Sequence, residues 1–430
     1  MVRRMLQIEA RLSPQSSHDI RPLYERVHYF LATTVKFIGT FQEIPLHECT
    51  DPALRASVER LWIAECSGSR PQSLEGEEQQ QQEEDKDTQY AVGDVEMSIH
   101  LYHIQSQGAV EEYSDDTGQA EAVMMAHHWT LPCQELEGVW ENLIFDDGLQ
   151  TKLMEYVHTT MLFSDRGVNP LLISWNRVVL LHGPPGTGKT SLCRALAQKL
   201  SIRLSNRFRY GKLLEINSHS LFSKWFSESG KMVQKMFDQI WSMVEDEDAF
   251  VCVLIDEVES LAAARKAALS GNEPSDSLRV VNALLTQIDR LKQRKNVLIL
   301  TTSNITEAID VAFIDRADIK VHVGLPSQRA IYNMLCSSLQ ELQRAGILQC
   351  DYTPSTWKTI QRRQFKKLEV RSHEELVSGA LYQIAGEACG MSGRAIRKLP
   401  FLAHAAHVQS GTTTIGSFMM ALQKTVRAEW

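Results

Sequence analysis

Apolar and polar positions alternate in two different ways along the 430 residues of the chain. Between residues 138 and 326, short apolar runs alternate with segments of helical spacing, which is typical of a parallel sheet covered by helices on both faces. After Pro326 the apolar runs cease, and helical spacing continues to Trp430. The pattern predicts an α/β domain over 138–326, followed by a small helical lid domain over 327–430.

Five apolar runs are predicted to form a five-stranded parallel sheet, because each is short and is followed by a helical segment. Helical spacing is clear in Ser191–Leu200 and Ser277–Leu291, which are predicted to cover the sheet. The predicted strands are Val178–His182, Leu213–Asn217, Phe250–Asp256, Val297–Asn304 and Ile319–Val323.

The first 110 residues predict a smaller α+β domain. Tyr29–Ile38 is rich in β-forming residues, and Ile99–Ile104 is a second strand-like run. The apolar residues of Leu54–Trp62 recur at the spacing of one helix face. Residues 67–89 carry four consecutive glutamines and a cluster of acids, so a flexible loop is predicted there. Residues 111–137 are predicted to be a linker.

Composition and charge narrow the class of protein. Hydrophobic residues make up 43% of the chain, which is enough for sizeable cores. The net charge is −8, but seven acids and one lysine lie between Glu75 and Asp87, so the rest of the chain is close to neutral. The chain lacks the basic surface of a nucleic-acid-binding protein, and no direct contact with nucleic acid is expected.

Cysteines and apolar runs indicate the compartment. The eight cysteines are scattered singly, which argues against a zinc site or a disulfide framework and fits a reducing compartment. No run of about 18 apolar residues is present, so no membrane span is expected. A soluble intracellular protein is predicted.

A glycine-rich segment follows the first predicted strand of the α/β domain and opens a helix, as a Walker A phosphate-binding loop (P-loop) requires. Its glycines let the backbone curl so that N–H groups face the β-phosphate. Lys189 is predicted to reach the β- and γ-phosphates of ATP, and Thr190 to hold Mg²⁺. The residues predicted to bind ATP are Gly183, Pro184, Pro185, Gly186, Thr187, Gly188, Lys189, Thr190 and Ser191.

Two acids end the apolar strand Val251–Glu257, where a metal ion or water can compensate a carboxylate. Asp256 is predicted to complete the Mg²⁺ site, and Glu257 to polarise the water that attacks ATP. Asn304 ends the next strand and is predicted to orient that water, with a strand-end turn residue as the alternative. These residue types predict hydrolysis of ATP and not binding alone.

From about Trp140 to its end the chain resembles the AAA+ ATPases, and Arg279–Asp289 looks like the AAA subgroup. The resemblance implies a ring hexamer in which a neighbouring subunit contributes an arginine finger. Arg316 matches the position of that finger, with a surface salt bridge as the alternative. The chain lacks the Gly-Arg pair that usually follows in AAA proteins and would carry a second finger.

Arg394 matches the lid arginine called sensor 2, and Arg397 is the alternative. Ser392 is predicted to cap the lid helix that places Arg394 in its first turn, where anions bind well. Arg394 is therefore expected close to the anionic phosphates of ATP.

Trp225 and Phe226 lie between the second predicted strand and the two acids. In AAA unfoldases this position is pore loop 1, whose aromatic side chains grip a polypeptide, and large rings offer contact area at low entropic cost. A buried aromatic corner is the alternative. Gly271–Asp276 occupies the place of a second pore loop. The aromatic pair favours a protein substrate.

Four segments resemble the pachytene checkpoint protein 2 family: Asn217–Lys231, Thr301–Thr306, Arg316–Lys320 and Arg397–His404. The family implies a homohexamer that converts closed HORMA-domain proteins to their open form. It also implies an adaptor, the HORMA-like comet protein, which presents substrates to the N-terminal domain over 1–110. The implied processes are disassembly of spindle checkpoint complexes and control of meiotic recombination and the chromosome axis, in the nucleus and cytoplasm, on chromosomes and kinetochores.

Three other functions are weighed against this one. A nucleic-acid-directed AAA+ motor or loader is opposed by the near-neutral charge and the aromatic loop. A protease-linked ring is opposed by His373–Val377, which begins like a zinc-protease helix but lacks the second histidine. A scaffold without hydrolysis is opposed by Glu257, Asn304 and Arg316. Gln361–Lys367 is basic, which fits either a nuclear signal or a solvated helix face.

Overall fold

The computed structural model describes residues 4–16, 20–35, 37–67, 89–113, 124–146, 148–169, 171–218, 229–262, 276–305, 311–350, 352–366 and 372–429. These residues form an N-terminal α+β part, a central α/β part and a C-terminal helical part. Within the described ranges, no helix is both long enough and apolar enough to cross a membrane.

The N-terminal part is a four-stranded sheet with the order β3-β4-β1-β6, accompanied by a two-stranded sheet of β2 and β5. Strand β1 runs antiparallel to β4 and parallel to β6. Its elements are β1 (Arg4–Leu12), α1 (Ile20–Thr34), β2 (Phe37–Gly39), β3 (Gln42–Glu43), α2 (Pro52–Ser57), β4 (Val58–Ser67), β5 (Gln89–Ala91) and β6 (Val95–His103).

The strand expected over Tyr29–Ile38 is wrong for most of its length, because α1 continues to Thr34. Leu23, Val27 and Leu31 recur at intervals of four residues and are buried against the sheet. Tyr29, in contrast, is 71% exposed. The apolar face of the helix outweighs the local β-propensity, since burial of one face contributes more than propensity does.

The helix expected over Leu54–Trp62 is correct only as far as Ser57. Asp51 caps this short helix through a hydrogen bond from the Ala53 N–H, 2.9 Å long. From Val58 onward the chain pairs with β1, which supplies backbone partners for every second residue. Pairing with a distant strand therefore overrides the local helical spacing. The strand expected around Ile99 is confirmed as β6.

The central part is a seven-stranded sheet with the order β13-β9-β12-β11-β10-β8-β7. Strands β13, β9, β12, β11 and β10 are mutually parallel, which confirms the five predicted strands. The strands are β7 (Val110–Tyr113), β8 (Met124–Leu131), β9 (Val178–His182), β10 (Tyr210–Asn217), β11 (Ala249–Asp256), β12 (Val297–Ser303) and β13 (Ile319–His322). The helices are α3 (Val139–Asn142), α4 (Leu149–Asp165), α5 (Lys189–Arg203), α6 (Ser229–Val244), α7 (Asp276–Leu291) and α8 (Val311–Ile314).

The linker predicted over 111–137 is corrected in part by β7 and β8, which extend the sheet beyond β10 in antiparallel orientation. Trp129 and Leu131 of β8 are buried in the core beneath α5. Strand β8 provides hydrogen-bond partners for backbone groups along the outer edge of β10, which would otherwise be unpaired. The charged residues and glycines around these strands are typical of a linker, so the sequence did not indicate the strands.

Helices cover both faces of the central sheet. The side chains of β11 and β12 are buried almost throughout, as expected for parallel strands with two covered faces. Helices α6 and α7 pack on one face, and α4 and α5 pack on the other. The carboxyl ends of β9, β11 and β12 consequently meet at one sheet edge, where α/β proteins bind ligands.

The predicted helical lid is confirmed, and five α-helices of its described residues share one core. Serine side chains cap three of them, and Ser392 accepts a hydrogen bond from the Ala395 N–H, as predicted. The lid helices are α9 (Gln328–Arg344), α10 (Trp357–Lys366), α11 (His373–Glu387), α12 (Gly393–Ala403) and α13 (Ile415–Glu429).

A buried ion-pair network joins the N-terminal sheet to α5, the helix that begins at Lys189. Glu9 on β1 accepts a hydrogen bond from Lys199 Nζ at 2.8 Å and lies 3.1 Å from Arg203. The side chains of Glu9 and Lys199 are 4% and 5% exposed. Burial alone would raise the pKa of Glu9, but the two cations outweigh it and hold that pKa below its ordinary value. The contribution of Glu9 to stability is complete above the ordinary glutamate pKa and declines as the pH falls through the lowered one.

Replacement of Lys199 with methionine is expected to lower the free energy of unfolding by about 3–5 kcal/mol, because it leaves Glu9 buried beside one cation fewer. Urea denaturation followed by tryptophan fluorescence measures the change. Arg344→Met is the control, since Arg344 pairs with Glu341 on the exposed surface of the lid. Equal stability of the two variants would contradict the role of the network.

Candidate active site

The P-loop between β9 and α5 is held in a conformation that requires glycine. Gly183, Gly186 and Gly188 have φ angles of 141°, 75° and 93°. A β-carbon at Gly183 would collide with the carbonyl oxygen of Val323, and one at Gly186 would lie 2.9 Å from Ser392 Oγ. The loop therefore passes closely between the end of β13 and the lid, with backbone free to approach a phosphate.

Lys189 lies at the centre of this loop and is 4% exposed. Its Nζ donates hydrogen bonds to the carbonyl oxygens of Gly183 and Pro184, at 2.9 and 2.8 Å. Burial lowers the pKa of Lys189, and the carboxylates of Glu259 and Asp256 only partly oppose this effect. The Lys189 ammonium is buried, and nearby carboxylates compensate its charge only in part. Such a group suits a polyphosphate ligand, which would supply the missing negative charge.

Asp256 at the end of β11 is bound by two hydroxyl groups. Thr190 Oγ1 donates to both carboxylate oxygens, at 2.9 and 3.1 Å, and Thr302 Oγ1 also donates to this carboxylate. A hydroxyl oxygen beside a carboxylate is the oxygen donor set that Mg²⁺ prefers, so the predicted pair Thr190 and Asp256 fits this ion. Mg²⁺ bound here would neutralise phosphate charge. Sequence reasoning missed Thr302, although it lies near the end of β12.

Glu257 and Asn304 are brought together from the ends of β11 and β12. Asn304 Nδ2 lies 3.5 Å from Glu257 Oε1. Glu257 has a φ angle of 58°, a left-handed conformation that costs a residue with a side chain about 1–2 kcal/mol. Ser218 Oγ stabilises this turn by donating to the carbonyl oxygens of Asp256 and Glu257, at 2.5 and 2.6 Å. The arrangement brings a carboxylate and an amide side by side, and their catalytic roles stay predictions.

Sequence reasoning also missed Glu259, two residues after Glu257. Its Oε1 accepts a hydrogen bond from the Asn304 N–H at 3.1 Å, and so it fixes the turn that carries Asn304. Its negative charge also acts on Lys189. The spacing of a second acid after the strand is the signal that would have identified it.

A cavity of about 670 Å³ opens beside the P-loop, between the central sheet and the lid. Leu143, Phe145 and Leu149 provide apolar walls, and Arg394 and Arg397 of α12 provide positive charge. This combination suits the nucleoside part of a nucleotide. The segment 143–146, with its apolar residues ahead of acids and a glycine, was not recognised as part of the site.

Both predicted lid arginines reach this cavity. The Arg394 N–H donates to the carbonyl oxygen of Gly186 at 3.0 Å, which attaches the start of α12 to the P-loop. Arg397 donates to the carbonyl oxygen of Asn142 at 2.5 Å. The lid is also tied to the central part where Ser327 Oγ donates to Asp146 at 2.7 Å. Both arginines remain possible sensor 2 residues, and Arg394 is the one beside the P-loop.

Arg316 is not in the site of its own chain. It immediately precedes β13, whereas the P-loop follows β9, and these strands are parallel with Ile319 opposite Val179. Arg316 and the P-loop therefore lie at opposite edges of the sheet, separated by a strand of about 13 Å. Arg316 forms a two-point ion pair with Asp289, at 3.0 and 2.7 Å, and its side chain is 24% exposed.

The predicted pore-loop residues Trp225 and Phe226 lie outside the described residues, as does most of Gly271–Asp276. The segment with the aromatic pair connects the end of β10 to α6. Its role stays a prediction.

Comparison with known proteins places this geometry in a family. Residues 179–325 match the ATPase family associated with various cellular activities (AAA), and residues 327–430 match the TRIP13-like, AAA+ ATPase lid C-terminal domain. The chain is 53% identical to the Pachytene checkpoint protein 2 homolog of Homo sapiens over 330 residues, which are 77% of this chain and 75% of that protein. The chain belongs to the pachytene checkpoint protein 2 family. It is thus an AAA ATPase that binds nucleotide, and the predicted family is confirmed.

Solved structures support the AAA+ fold of this pachytene checkpoint protein 2 family member. The structure of C. elegans PCH-2 covers 99% of this chain and 98% of its own, with a TM-score of 0.74 and 37% identity. The fold is also shared with a chain of the E. coli MS115-1 HORMA:CdnC:Trip13 complex, at a TM-score of 0.51 and 17% identity, over 69% of this chain and 94% of that one. The predicted α/β core with a helical lid and a small N-terminal α+β part is confirmed.

Proposed function

We propose that this protein is an ATP-driven remodeller of HORMA-domain proteins that works as a homohexamer. One ring would bind ATP and Mg²⁺ at the joints between subunits. Hydrolysis would pull a segment of the substrate through the central pore and convert the closed HORMA form to the open one.

The position of Arg316 is the observation that carries this proposal. Among the described residues, Arg394 and Arg397 of the lid line the cavity beside the P-loop, whereas Arg316 lies at the opposite edge of the sheet. Charge that develops on a transferred phosphoryl group is stabilised by such an arginine. A second copy of the chain can supply it across a joint, and repetition of one such head-to-tail contact closes a ring.

Within one chain, the side chains divide the work of hydrolysis. Lys189 and Arg394 would bind phosphate oxygens, and Thr190 and Asp256 would hold Mg²⁺, which would neutralise phosphate charge. Glu257 would accept a proton from the attacking water while Asn304 holds that water in line. Glu259 would maintain the geometry through the backbone N–H of Asn304.

The proposed substrate class rests on the family and on the aromatic pair. A chain with the same fold was solved in the E. coli MS115-1 HORMA:CdnC:Trip13 complex. Trp225 and Phe226 would grip the substrate chain, because broad rings contact backbone without demanding a particular sequence. The N-terminal part, residues 1–110, would receive the substrate together with the HORMA-like comet adaptor.

The proposed cellular roles are disassembly of spindle checkpoint complexes and control of meiotic recombination and the chromosome axis. They would place the protein in the nucleus and cytoplasm, on chromosomes and kinetochores. Membership of the pachytene checkpoint protein 2 family supports the proposed roles.

Conversion of a closed HORMA protein tests the proposal directly. The protein is incubated with ATP, Mg²⁺, the closed substrate and the adaptor, and the two forms are separated by ion-exchange chromatography. Wild type is expected to convert the substrate, and Glu257→Gln is expected to convert none. Conversion by Glu257→Gln at the wild-type rate would contradict the proposal.

Trp225→Ala is expected to retain basal ATP turnover while losing at least about 90% of substrate conversion, because contact with the substrate is lost and the hydrolytic site is intact. Phosphate release and chromatography of the HORMA protein measure the two activities. Trp225→Phe is the control, since it keeps an aromatic ring and is expected to retain conversion. Full conversion by Trp225→Ala would exclude threading by this residue.

A further inference from the structure

Three consecutive aliphatic side chains project from the loop that precedes β9. Leu171 is 91% exposed, Leu172 83% and Ile173 51%. The first two are the most exposed large hydrophobic side chains in the part of the chain that the structure describes. Apolar residues scattered singly on a surface are common, but three together indicate an interaction surface. We call these three residues the aliphatic loop.

The aliphatic loop has a defined conformation. Asn169 Oδ1 accepts a hydrogen bond from the Leu171 N–H at 2.9 Å, and the Asn169 carbonyl oxygen accepts from the N–H groups of Leu172 and Ile173, both at 3.1 Å. Just beyond the loop, Trp175 packs edge-on against Phe163, with ring centroids 5.8 Å apart. Because the loop is already ordered, binding of a partner to its side chains would cost little further conformational entropy.

The end of this loop is bonded to the segment that carries Arg316. Asn176 Nδ2 donates to Asp318 Oδ1 at 2.8 Å, and the Asn176 N–H donates to the other oxygen of that carboxylate. Tyr156 donates to the carbonyl oxygen of Asn176 at 2.8 Å, which holds the loop on α4. Asp318 is two residues from Arg316, so both features share the edge of the sheet opposite the P-loop.

We propose that the aliphatic loop packs against a second copy of this chain and places Arg316 in the ATP site of that copy. This inference rests on the proposed function, in which Arg316 completes a neighbouring site. A neighbour that surrounds Arg316 must cover the adjoining surface of the same edge, and the loop lies there. Aliphatic side chains at such a joint are buried, whereas exposed ion pairs alone would hold two copies together only weakly.

The double variant Leu171→Ser/Leu172→Ser tests this joint in the full-length chain. The protein concentration for half-maximal specific ATPase activity is expected to rise at least about tenfold, since loss of one buried leucine contact changes an association constant by about that factor. Activity per subunit is expected to recover at high concentration, which a damaged fold would not allow. Mass photometry is expected to show small species where wild type forms rings, and binding of a fluorescent ADP analogue is expected to persist.

Two further variants separate the possible outcomes. Tyr29→Ser removes an aromatic ring that is 71% exposed on the N-terminal part, and this variant is expected to assemble and turn over ATP as wild type does. Arg316→Ala is expected to form rings without turnover. If the loop variant assembles and hydrolyses normally while Arg316→Ala is inactive, the loop has no role and the proposed function stands. If Arg316→Ala hydrolyses normally, the proposed joint itself is wrong.

Photo-crosslinking tests the contact between position 171 and a second copy of the chain without a variant that weakens the joint. Benzoylphenylalanine at position 171 keeps this position apolar and is expected to yield a covalent dimer of the chain in the presence of ATP and Mg²⁺. The absence of that dimer when the rest of the protein is assembled would overturn the inference. A crosslink to an added HORMA protein in place of a second copy would overturn it equally.

Discussion

Replacement of Arg316 with alanine is expected to lower ATP turnover by roughly 10³–10⁵-fold, the range found for arginine fingers in phosphoryl transfer. Arg316 lies across the sheet from its own P-loop, so nucleotide binding by each chain should be unchanged. Steady-state phosphate release measures turnover, and binding of a fluorescent ADP analogue measures affinity. Arg344→Ala is the control, because Arg344 also pairs with a carboxylate but lies on the outer surface of the lid.

A mixture of two inactive variants decides whether Arg316 acts between subunits. Arg316→Ala retains Glu257, and Glu257→Gln retains Arg316, so a joint formed by one of each can contain both intact residues. If Arg316 acts across the joint, co-assembled rings are expected to regain part of the ATPase activity. If it acts within its own chain, no subunit in the mixture is complete, and the mixture stays inactive. Inactivity of rings shown to contain both variants would therefore exclude action across the joint.

Glu257→Gln is expected to reduce ATP turnover by about 10²–10⁴-fold, the contribution typical of a positioned general base. Glutamine keeps the shape of the side chain and its place beside Asn304 but accepts a proton poorly. ATP binding and ring formation should persist, since neither Lys189 nor the Thr190–Asp256 pair is altered. Single-turnover phosphate release with radiolabelled ATP isolates the chemical step.

Glu341→Gln is the matched control for that variant, because it makes the same chemical change on an exposed lid helix. It is expected to turn over ATP as wild type does. Retention of more than about a tenth of wild-type turnover by Glu257→Gln would rule out Glu257 as the base and would leave Glu259 as the carboxylate to test next.

The sequence predicted which candidate hydrolytic residues of one chain lie close together. Lys189 and Thr190 belong to one continuous motif, and Asp256 and Asn304 end apolar strands that could be recognised individually. Carboxyl ends of parallel strands meet at one sheet edge, so the expectation that these residues lie together needed only the strand pattern. Thr302 escaped notice because a hydroxyl within a strand has no distinctive local pattern, whereas the spacing of Glu259 after the strand was a usable signal that was not recognised.

The N-terminal part was predicted less well, for a reason visible in two segments. Tyr29–Ile38 has the composition of a strand but lies mostly in α1, whose apolar face is buried under the sheet. Val58–Ser67 begins with helical spacing but pairs with β1, far away in the chain. In both cases tertiary contacts outweigh local preference, because preferences amount to tenths of a kcal/mol per residue and burial to more.

The sequence by itself determined which residues are candidates to bind and hydrolyse ATP, because that chemistry requires fixed residue types at short spacing after a strand. Only the tertiary structure decided that Arg316 faces away from its own P-loop, beside an exposed aliphatic loop. It also decided that β7 and β8 complete the sheet and that Glu9 anchors the N-terminal part to α5. These relations join residues far apart in the chain, and no local spacing encodes which edge of a sheet, or which buried partner, a distant segment will meet.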